Sequence, residues 1–499
     1  MILKTVLILF VAAGLACARD AEAPPAWKHL NLSLGIAIRM ALEKNFSIVA
    51  QKMDPQISRG RLQSAYGRFD PAFSLSYRNG EFSVADTFVR DASGNVGISG
   101  GGSRDHTEQW STRVNGVTAW GLGYDMGLTS EIRDGNAASS GSTYESTMSF
   151  SLRQPLLRGA GPAANLAGVR LARNNVTISE WSVRQQVINV ITEVIEVYNE
   201  LQFATENLEV AQRSRNLAMQ LLRDNIKRVE IGVKTPLDVT TAQADAAARL
   251  GAVIRTTREV KDQKNFLERL TSGDMLMMLR TELKIQPPPS APFEPDVIGG
   301  IQAALDLRPD YRQSVLDIQN RHIAVAFTKT ELLPRLDLVA SLSLLGLDDD
   351  FGHSIERALE PQRSSWNIGA TFSIPLGNRD NRGRYNAAKL EATQALVKLQ
   401  QLEQQIIVLV DNASGAVTTA RQQMDATREA RRLAKESLTA GEGRLVAGIG
   451  TTFEVLELQK RLAEAETAEL RARADYNKAV ARYNLQTGTT LRVHGVVID

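Results

Sequence analysis

The chain has 499 residues, of which 43% are hydrophobic and 23% are charged, and its formal net charge is +2 at pH 7. These proportions are ordinary for a folded protein and indicate neither a disordered chain nor a bundle of membrane-spanning helices. The positive residues form no block along the sequence, so the chain carries no electrostatic footprint for nucleic acid.

The N-terminus has the layout of a secretory signal peptide. Lys4 is followed by an apolar run over residues 6–15 and then by small residues, so residues 1–23 are expected to direct export and to be removed. The only cysteine, Cys17, lies just after the apolar run. Two outcomes stay open: cleavage at a small-residue site that removes Cys17, or lipidation of Cys17 at a lipobox-like sequence.

The sequence contains an internal repeat. One block recurs at a constant offset: Arg228, Gly232, Thr235, Val239 and Gln243 match Arg444, Gly448, Thr451, Val455 and Gln459, with Asp238 matched by Glu454. Each half is expected to run helix, strand region, long helix, glycine turn and return helix. The predicted bounds are 30–271 for the first repeat, 272–295 for a proline-containing linker, and 296–490 for the second repeat.

Apolar residues alternate with small polar residues at about 69–155 and 334–376, which predicts strands with one apolar and one polar face. Each strand alone would also suit a soluble sheet. The strand lengths, however, match a tilted bilayer crossing. After residue 26 no apolar stretch reaches the ~20 residues of a membrane helix. Any crossing must therefore use strands, and too few are present in one chain to close a barrel without other subunits.

The remaining segments are predicted to be long helices. No proline interrupts residues 163–229 or the chain after Asn378. Apolar residues step by threes and fours, as in a coiled coil, at Val183, Val187, Val190, Val194, Val197 and Leu201, and again at Leu399, Leu402, Ile406 and Leu409. Return helices are predicted from about Pro236 and about Thr452.

An exported chain with two repeats of strands between very long helices resembles the TolC family of outer membrane efflux proteins. The most specific matches are Pro155-Leu156-Leu157-Arg158-Gly159, Ile374-Pro375-Leu376-Gly377, and the two blocks around Gly232 and Gly448. The resemblance implies an α+β membrane protein, a homotrimer in which a twelve-stranded β-barrel with four strands per chain continues into a periplasmic α-helical barrel. Extra alternating segments between Thr107 and Ile132 depart from this pattern and leave the strand count open.

The resemblance also implies a function and partners. The chain would be a passive outer-membrane exit duct in a tripartite efflux or type I secretion system. Its partners would be a periplasmic adaptor (membrane fusion protein), an inner-membrane pump of the resistance-nodulation-division (RND), major facilitator (MFS) or ABC type, and outer-membrane lipid.

Site residues follow from the same resemblance. The helix tips with Arg228, Gly232, Arg444 and Gly448 would dock the adaptor, and Asp238, Glu454 and Glu457 would line a periplasmic aperture. Copies of these acids around one axis would attract cations. The alternative is that they are solvated acids near helix N-termini, where negative charge is favoured in any protein.

Two other classes of protein, an enzyme and a periplasmic adaptor, fit the sequence less well. The five histidines are scattered without metal-ligand spacing, so no catalytic, cofactor or metal site is expected. A periplasmic coiled-coil adaptor or scaffold would also have long helices and an export signal, but the predicted two-faced strands favour the outer-membrane channel.

Overall fold

The computed structural model describes residues 29–85, 87–90, 92–100, 103–135, 143–232, 234–274, 282–287 and 292–497. The predicted signal peptide and Cys17 lie outside these ranges. The chain divides into two compact units: the first comprises Met1–Ala50, Gln186–Leu307 and Ile406–Asp499, and the second comprises Gln51–Gln185 and Arg308–Gln405.

The elements alternate between short strand regions and long helices. The strands are β1 (His29–Leu32), β2 (Ala72–Val84), β3 (Thr87–Arg90), β4 (Val96–Gly100), β5 (Ser103–Val117), β6 (Gly123–Gly135), β7 (Thr143–Pro155), β8 (Glu282–Ile285), β9 (Arg335–Asp348) and β10 (Ser364–Ser373). The helices are α1 (Leu34–Lys44), α2 (Phe46–Gln51), α3 (Asp54–Tyr66), α4 (Gly161–Asn165), α5 (Ala167–Glu230), α6 (Pro236–Thr271), α7 (Val297–Leu307), α8 (Pro309–Glu331), α9 (Phe351–Leu359), α10 (Arg379–Val446), α11 (Thr452–Thr487) and α12 (Thr490–Val493).

The second unit contains a six-stranded antiparallel sheet in the order β10-β9-β7-β6-β5-β2. We call the end of the sheet where β2 starts and β7 ends the proximal end, because α3 and α4 adjoin it, and the opposite end the distal end. The pairing of β7 with β9 joins strands from the two predicted repeats. The Asp337 side chain is almost fully buried there, and its carboxylate accepts hydrogen bonds from Arg153 and pairs with Arg335.

The register gives the sheet two chemically different faces, because residues paired across antiparallel strands point to the same side. The apolar face comprises Phe73, Leu75, Tyr77, Trp110, Val114, Tyr124, Met126, Leu128, Met148, Phe150, Leu152, Leu338, Leu342, Trp366, Ile368 and Phe372. The polar face comprises Ser74, Ser76, Gln109, Ser111, Arg113, Asp125, Thr129, Ser149, Ser151, Arg153, Asp337, Ser341, Ser343, Asn367 and Thr371. The two-faced strands that the alternation predicts are therefore confirmed.

The β5–β6 hairpin determines how many strands one chain has in its large sheet. Its turn contains Trp120 and Gly121, and both of its strands lie inside the sheet between β2 and β7. The four strands per chain that the resemblance implies are wrong for this sheet, which has six. The turn is fixed at the proximal end because the Gly161 N–H donates to the Trp120 carbonyl at 3.0 Å.

Helix α9 packs on the apolar face at the distal end. The hydroxyl groups of Ser130, Ser146 and Ser354 are buried there and bonded in a chain, at 2.8 and 2.7 Å. A side chain at Gly346 would overlap the carbonyl oxygen of Ser354, so glycine is what allows the helix to approach the strand. The serines of the apolar face are thus covered by α9.

The long helices carry a buried stripe of the predicted kind. In α5 the stripe Val183, Val187, Val190, Val194 and Leu201 is buried, whereas Val197 is half-buried. In α10 the stripe is Ala388, Ala392, Ala395, Ile406, Val410, Ala413 and Val417. Of the predicted series only Ile406 is buried, whereas Leu399, Leu402 and Leu409 are half-buried. The return helices begin at Pro236 and Thr452, where the sequence predicts them.

In the first unit, β1 and β8 form a two-stranded parallel sheet. The Tyr198 hydroxyl of α5 lies 2.8 Å from the Leu32 carbonyl and 2.5 Å from the Gln286 carbonyl, so its single hydrogen serves either strand. Burial raises the pKa of Tyr198 to about 12, although the hydrogen bond to Gln286 acts in the opposite direction. Tyr483 of α11 likewise donates to the Asp296 carbonyl at 2.7 Å. Gln286, inside the predicted linker, and Asp296, the first residue after it, are therefore both tied to long helices.

Within the described residues, no helix is both long enough and apolar enough to cross a membrane.

We expect Gly121→Ala to destabilise the β5–β6 hairpin. Gly121 has φ +90°, and an added Cβ would lie 2.7 Å from the Gly159 carbonyl oxygen and 2.7 Å from the Asn165 amide nitrogen. The strain should cost about 1–3 kcal/mol. In detergent, the Gly121→Ala protein should therefore lose the gel mobility of the folded protein at a lower temperature than the parent chain. Gly80→Ala, in a strand position with open space around the added atom, is the matched control, and equal behaviour of both variants would refute the expectation.

Candidate functional site at the helix tips

The first tip, which we define as residues 228–238, is a tight reversal between α5 and α6. Gly232 has φ +79°, a left-handed conformation that glycine adopts without steric cost. Its N–H donates to the Val229 carbonyl at 2.9 Å, and the Lys234 N–H donates to the Arg228 carbonyl at 3.2 Å. The matched residues Arg228 and Gly232 thus build the turn through their backbones.

The second tip, residues 444–457, repeats this geometry between α10 and α11. Gly448 has φ +80°, and the N–H groups of Ile449 and Gly450 both donate to the Arg444 carbonyl, at 3.0 and 3.1 Å. A Cβ at Gly450 would lie 2.9 Å from the Leu445 backbone nitrogen. The turn therefore also requires a second small residue after Gly448.

The acidic residue of the first tip caps its own helix. The Asp238 carboxylate accepts hydrogen bonds from the Thr235 N–H at 3.1 Å and the Thr235 hydroxyl at 2.9 Å. These two bonds lower the pKa of Asp238 by more than partial burial raises it. The positive charge of Lys234, 3.9 Å away, and the Thr452 hydroxyl act in the same direction. Asp238 is held as a carboxylate at the positive end of α6.

The matched acid of the second tip has a different partner. The Glu454 N–H donates to the Thr451 hydroxyl at 3.1 Å, which caps α11, but its carboxylate accepts from Arg444 at 2.9 Å. One turn further on, Glu457 pairs with Arg461 at 3.2 Å. Each acid is therefore paired with a cation within the chain. Both remain partly exposed, with 35% of the Glu454 side chain and 39% of the Glu457 side chain accessible.

The two tips pack against each other rather than standing apart. The Thr452 hydroxyl at the start of α11 is near the Asp238 carboxylate of the first tip. An apolar cluster lies behind them, composed of Leu221, Leu438, Val455 and Leu456. The structure therefore brings Asp238 close to the start of α11, although the sequence predicts only that the two blocks are equivalent.

Two features of the site escaped sequence reasoning. Thr235-Pro-Leu-Asp238 and Thr451-Thr-Phe-Glu454 are helix-capping signatures, and this signal was available. The pairing of Arg444 with Glu454 had no local signal, because it depends on how the turn brings together residues ten positions apart. In the described part of the chain no cluster of histidine, cysteine, aspartate or glutamate could hold a metal ion.

A two-faced sheet with open edges, together with long paired helices that end in tight glycine turns, defines a class of membrane channel. The family model described as outer membrane efflux protein matches residues 37–273 and 300–489. The chain belongs to this family, and it is an outer-membrane channel protein with a periplasmic extension.

Individual relatives are distant in sequence. The outer membrane efflux protein BepC of Brucella suis biovar 1 (strain 1330) is 23% identical over 389 residues, which cover 72% of this chain and 80% of BepC. The Campylobacter jejuni CmeC outer membrane channel has a similar fold, with a TM-score of 0.67, 17% identity, and coverage of 92% of this chain and 86% of that one. The outer membrane protein VceC of Vibrio cholerae is similar too, with a TM-score of 0.66, 16% identity, and coverage of 91% and 96%.

Removing the first-tip cap should loosen the start of α6. We expect Asp238→Ala, which removes the N3 acid of the Thr235 capping box, to cost about 1 kcal/mol, as for a typical lost hydrogen bond, and to speed amide exchange over residues 236–240 about fivefold at pH 7. Because the folded-state pKa of Asp238 is lowered, its contribution is complete above the ordinary aspartate pKa and is lost as the pH falls through the lowered value. The difference between the two proteins should therefore shrink on acidification.

The measurement is hydrogen exchange read by mass spectrometry, corrected for the intrinsic rate at each pH. Glu259→Ala removes the same charge from an exposed position within α6 and should leave the first turn unchanged. A difference between Asp238→Ala and the parent chain that does not depend on pH would contradict the assigned role of the carboxylate.

Proposed function

We propose that three copies of this chain form a passive exit duct for a periplasmic adaptor and an inner-membrane pump. The observation that carries the proposal is the six-stranded sheet, which has an exposed apolar face, a polar face and two unpaired edges. Backbone groups left without partners in lipid cost several kcal/mol each, so the sheet needs identical neighbours to close. The polar face would then line a water-filled bore, and no catalytic step is involved.

The exposed side chains of the apolar face support the contact with lipid. Phe73, Trp366, Ile368 and Phe372 each expose more than 60% of their surface. Exposed large apolar side chains also lie on this face of the four strands between them, at Trp110, Met126, Leu152 and Leu342, whereas those of a soluble monomer are usually scattered. Aromatic residues bordering an outward apolar band are typical of outer-membrane strands.

The helix tips would be the periplasmic entrance. Their backbones are set by Gly232 and Gly448, and the Arg228 and Arg444 side chains lie beside these turns, which suits docking of an adaptor. Asp238, Glu454 and Glu457 would face the opening. Each of the three carboxylates has a cation of the same chain beside it, Lys234, Arg444 and Arg461 respectively.

The repeat boundaries belong to the same proposal. Each repeat would supply strands to the bore and one helical hairpin to the entrance, and residues 272–295 would join the repeats. Matching elements precede the two halves, since β1 lies before α1 and β8 before α7, and these strands pair with each other. The alternative function is that of a periplasmic adaptor. The chain belongs instead to the outer membrane efflux protein family.

The proposal is tested by ion selectivity in planar lipid bilayers. Glu454→Gln combined with Glu457→Gln should lower the cation-to-anion permeability ratio roughly twofold or more, because three copies would lose six carboxylates. Arg444→Gln should change the ratio in the opposite direction, since it leaves Glu454 without its partner at 2.9 Å.

Glu464→Gln combined with Glu466→Gln removes the same charge further along α11 and is the matched control. Glu464 is likewise paired within its helix, with Lys460 at 3.9 Å. A protein that forms no channels would refute the exit duct. Channels whose selectivity is unchanged by all the variants would refute only the entrance assigned to the acids.

A further inference from the structure

The β5–β6 hairpin is an integral part of the sheet and not an appendage. Strand β5 pairs with β2 over the whole of Ala72–Val84, and β6 pairs with β7 from Arg133↔Thr143 to Gly123↔Arg153. Strands β2 and β7 would be neighbours in a four-stranded sheet, and the hairpin lies between them. Removing it from the sheet would break two complete ladders of backbone hydrogen bonds.

The hairpin also continues both faces of the sheet. On the apolar side, β5 carries Trp110, Thr112 and Val114 and β6 carries Tyr124, Met126 and Leu128; on the polar side, they carry Gln109, Ser111, Arg113, Asp125, Gly127 and Thr129. Trp110 stacks on Tyr77 of β2, with ring centroids 4.4 Å apart. An apolar face of this kind is stable only when it is covered by other protein or by lipid, so a hairpin with water on both sides would be disfavoured.

The hairpin turn is anchored where the other strands meet their helices. The Trp120 carbonyl accepts a hydrogen bond from the Gly161 N–H at 3.0 Å. The Asn165 amide donates to the carbonyls of Gly159 and Gly161 at 2.8 and 3.0 Å, and it packs against Gly121. The turn therefore lies at the proximal end of the sheet, beside α4, and both strands of the hairpin run the full height of the sheet.

We infer that three copies of this chain close an eighteen-stranded barrel, in which β2 of one copy pairs with β10 of the next. This inference rests on the proposed trimeric duct. Strands β2 and β10 are the two ends of the sheet and are separated by five antiparallel steps, so they run in opposite directions. A head-to-tail ring of such sheets closes with antiparallel pairing at every junction, which is the pattern of outer-membrane barrels.

The strand number sets the width of the bore. With strands about 4.8 Å apart and tilted by about 40°, eighteen strands give a barrel about 36 Å across between backbones, compared with about 24 Å for twelve. Barrels of 16–18 strands enclose an aqueous channel. The outer-membrane segment of this protein would therefore impose little size selection on small solutes, and selection would fall to the helix tips.

The inference is tested by placing cysteines on adjacent residues of one strand. Ser111→Cys lies on the polar face of β5 and Thr112→Cys on its apolar face. The proteins in lipid nanodiscs are treated with a water-soluble, membrane-impermeant methanethiosulfonate. If Thr112 faces lipid, Ser111→Cys should react about tenfold faster than Thr112→Cys. Cys17 is the only cysteine of the parent chain. The parent chain, without an added cysteine, serves as the blank for the labelling reaction.

The matched control is the same pair of positions on β7, Ser149→Cys and Phe150→Cys. Strand β7 belongs to the barrel whether it has twelve or eighteen strands, so its polar position should react faster in either case. Equal labelling of the β5 pair beside a clear difference on β7 would overturn the eighteen-stranded barrel and leave the channel in place. If the β7 pair also labels equally, the proposed channel fails as well.

A direct count completes the test. Electron cryomicroscopy of the protein in nanodiscs should show three-fold symmetry and eighteen strands in cross-section. Twelve strands, with the segment 103–135 outside the wall, would refute the inference.

Discussion

The hydrogen-bonding groups along the outer edges of β2 and β10 constrain the rest of the molecule. Hydrocarbon offers these groups no partners, and the apolar face makes burial in hydrocarbon the favourable location for the sheet. The conflict disappears only when edges from separate copies pair. In the proposed trimer, the pairing of subunits, the central bore and the separation of lipid-facing from water-facing residues would all follow from this one backbone requirement.

The helix tips illustrate how equivalent halves of a chain diverge. Both turns use a glycine with positive φ and a threonine before the return helix, yet the acids that follow differ in their bonds. The Asp238 carboxylate accepts a hydrogen bond from the N–H of Thr235, whereas the Glu454 carboxylate accepts one from Arg444. A glutamate at this position can also bond back to the helix start, so the two acids are separated by their partners and not by the length of their side chains.

Much of the architecture was predictable because it depends on local periodicity. The alternation at Trp366–Ser373 and the heptad steps from Val183 to Leu201 mark strand and helix whatever surrounds them. The strand count was not predictable, since it depends on contacts between the turn at Gly121 and residues near Gly159 and Asn165. In the same way, the buried stripe of α10 shares only Ile406 with the predicted series, because burial depends on the elements packed against the helix and not on the heptad alone.

A hairpin brings the chain back to the end of the sheet from which it departed. Inserting β5 and β6 between β2 and β7 therefore leaves every helix attached on the side where it began, with its direction unchanged. A single added strand would instead send all following helices to the opposite side of the membrane. Proteins with this fold can therefore evolve wider barrels by adding two strands per chain, while the position and direction of the helices stay the same.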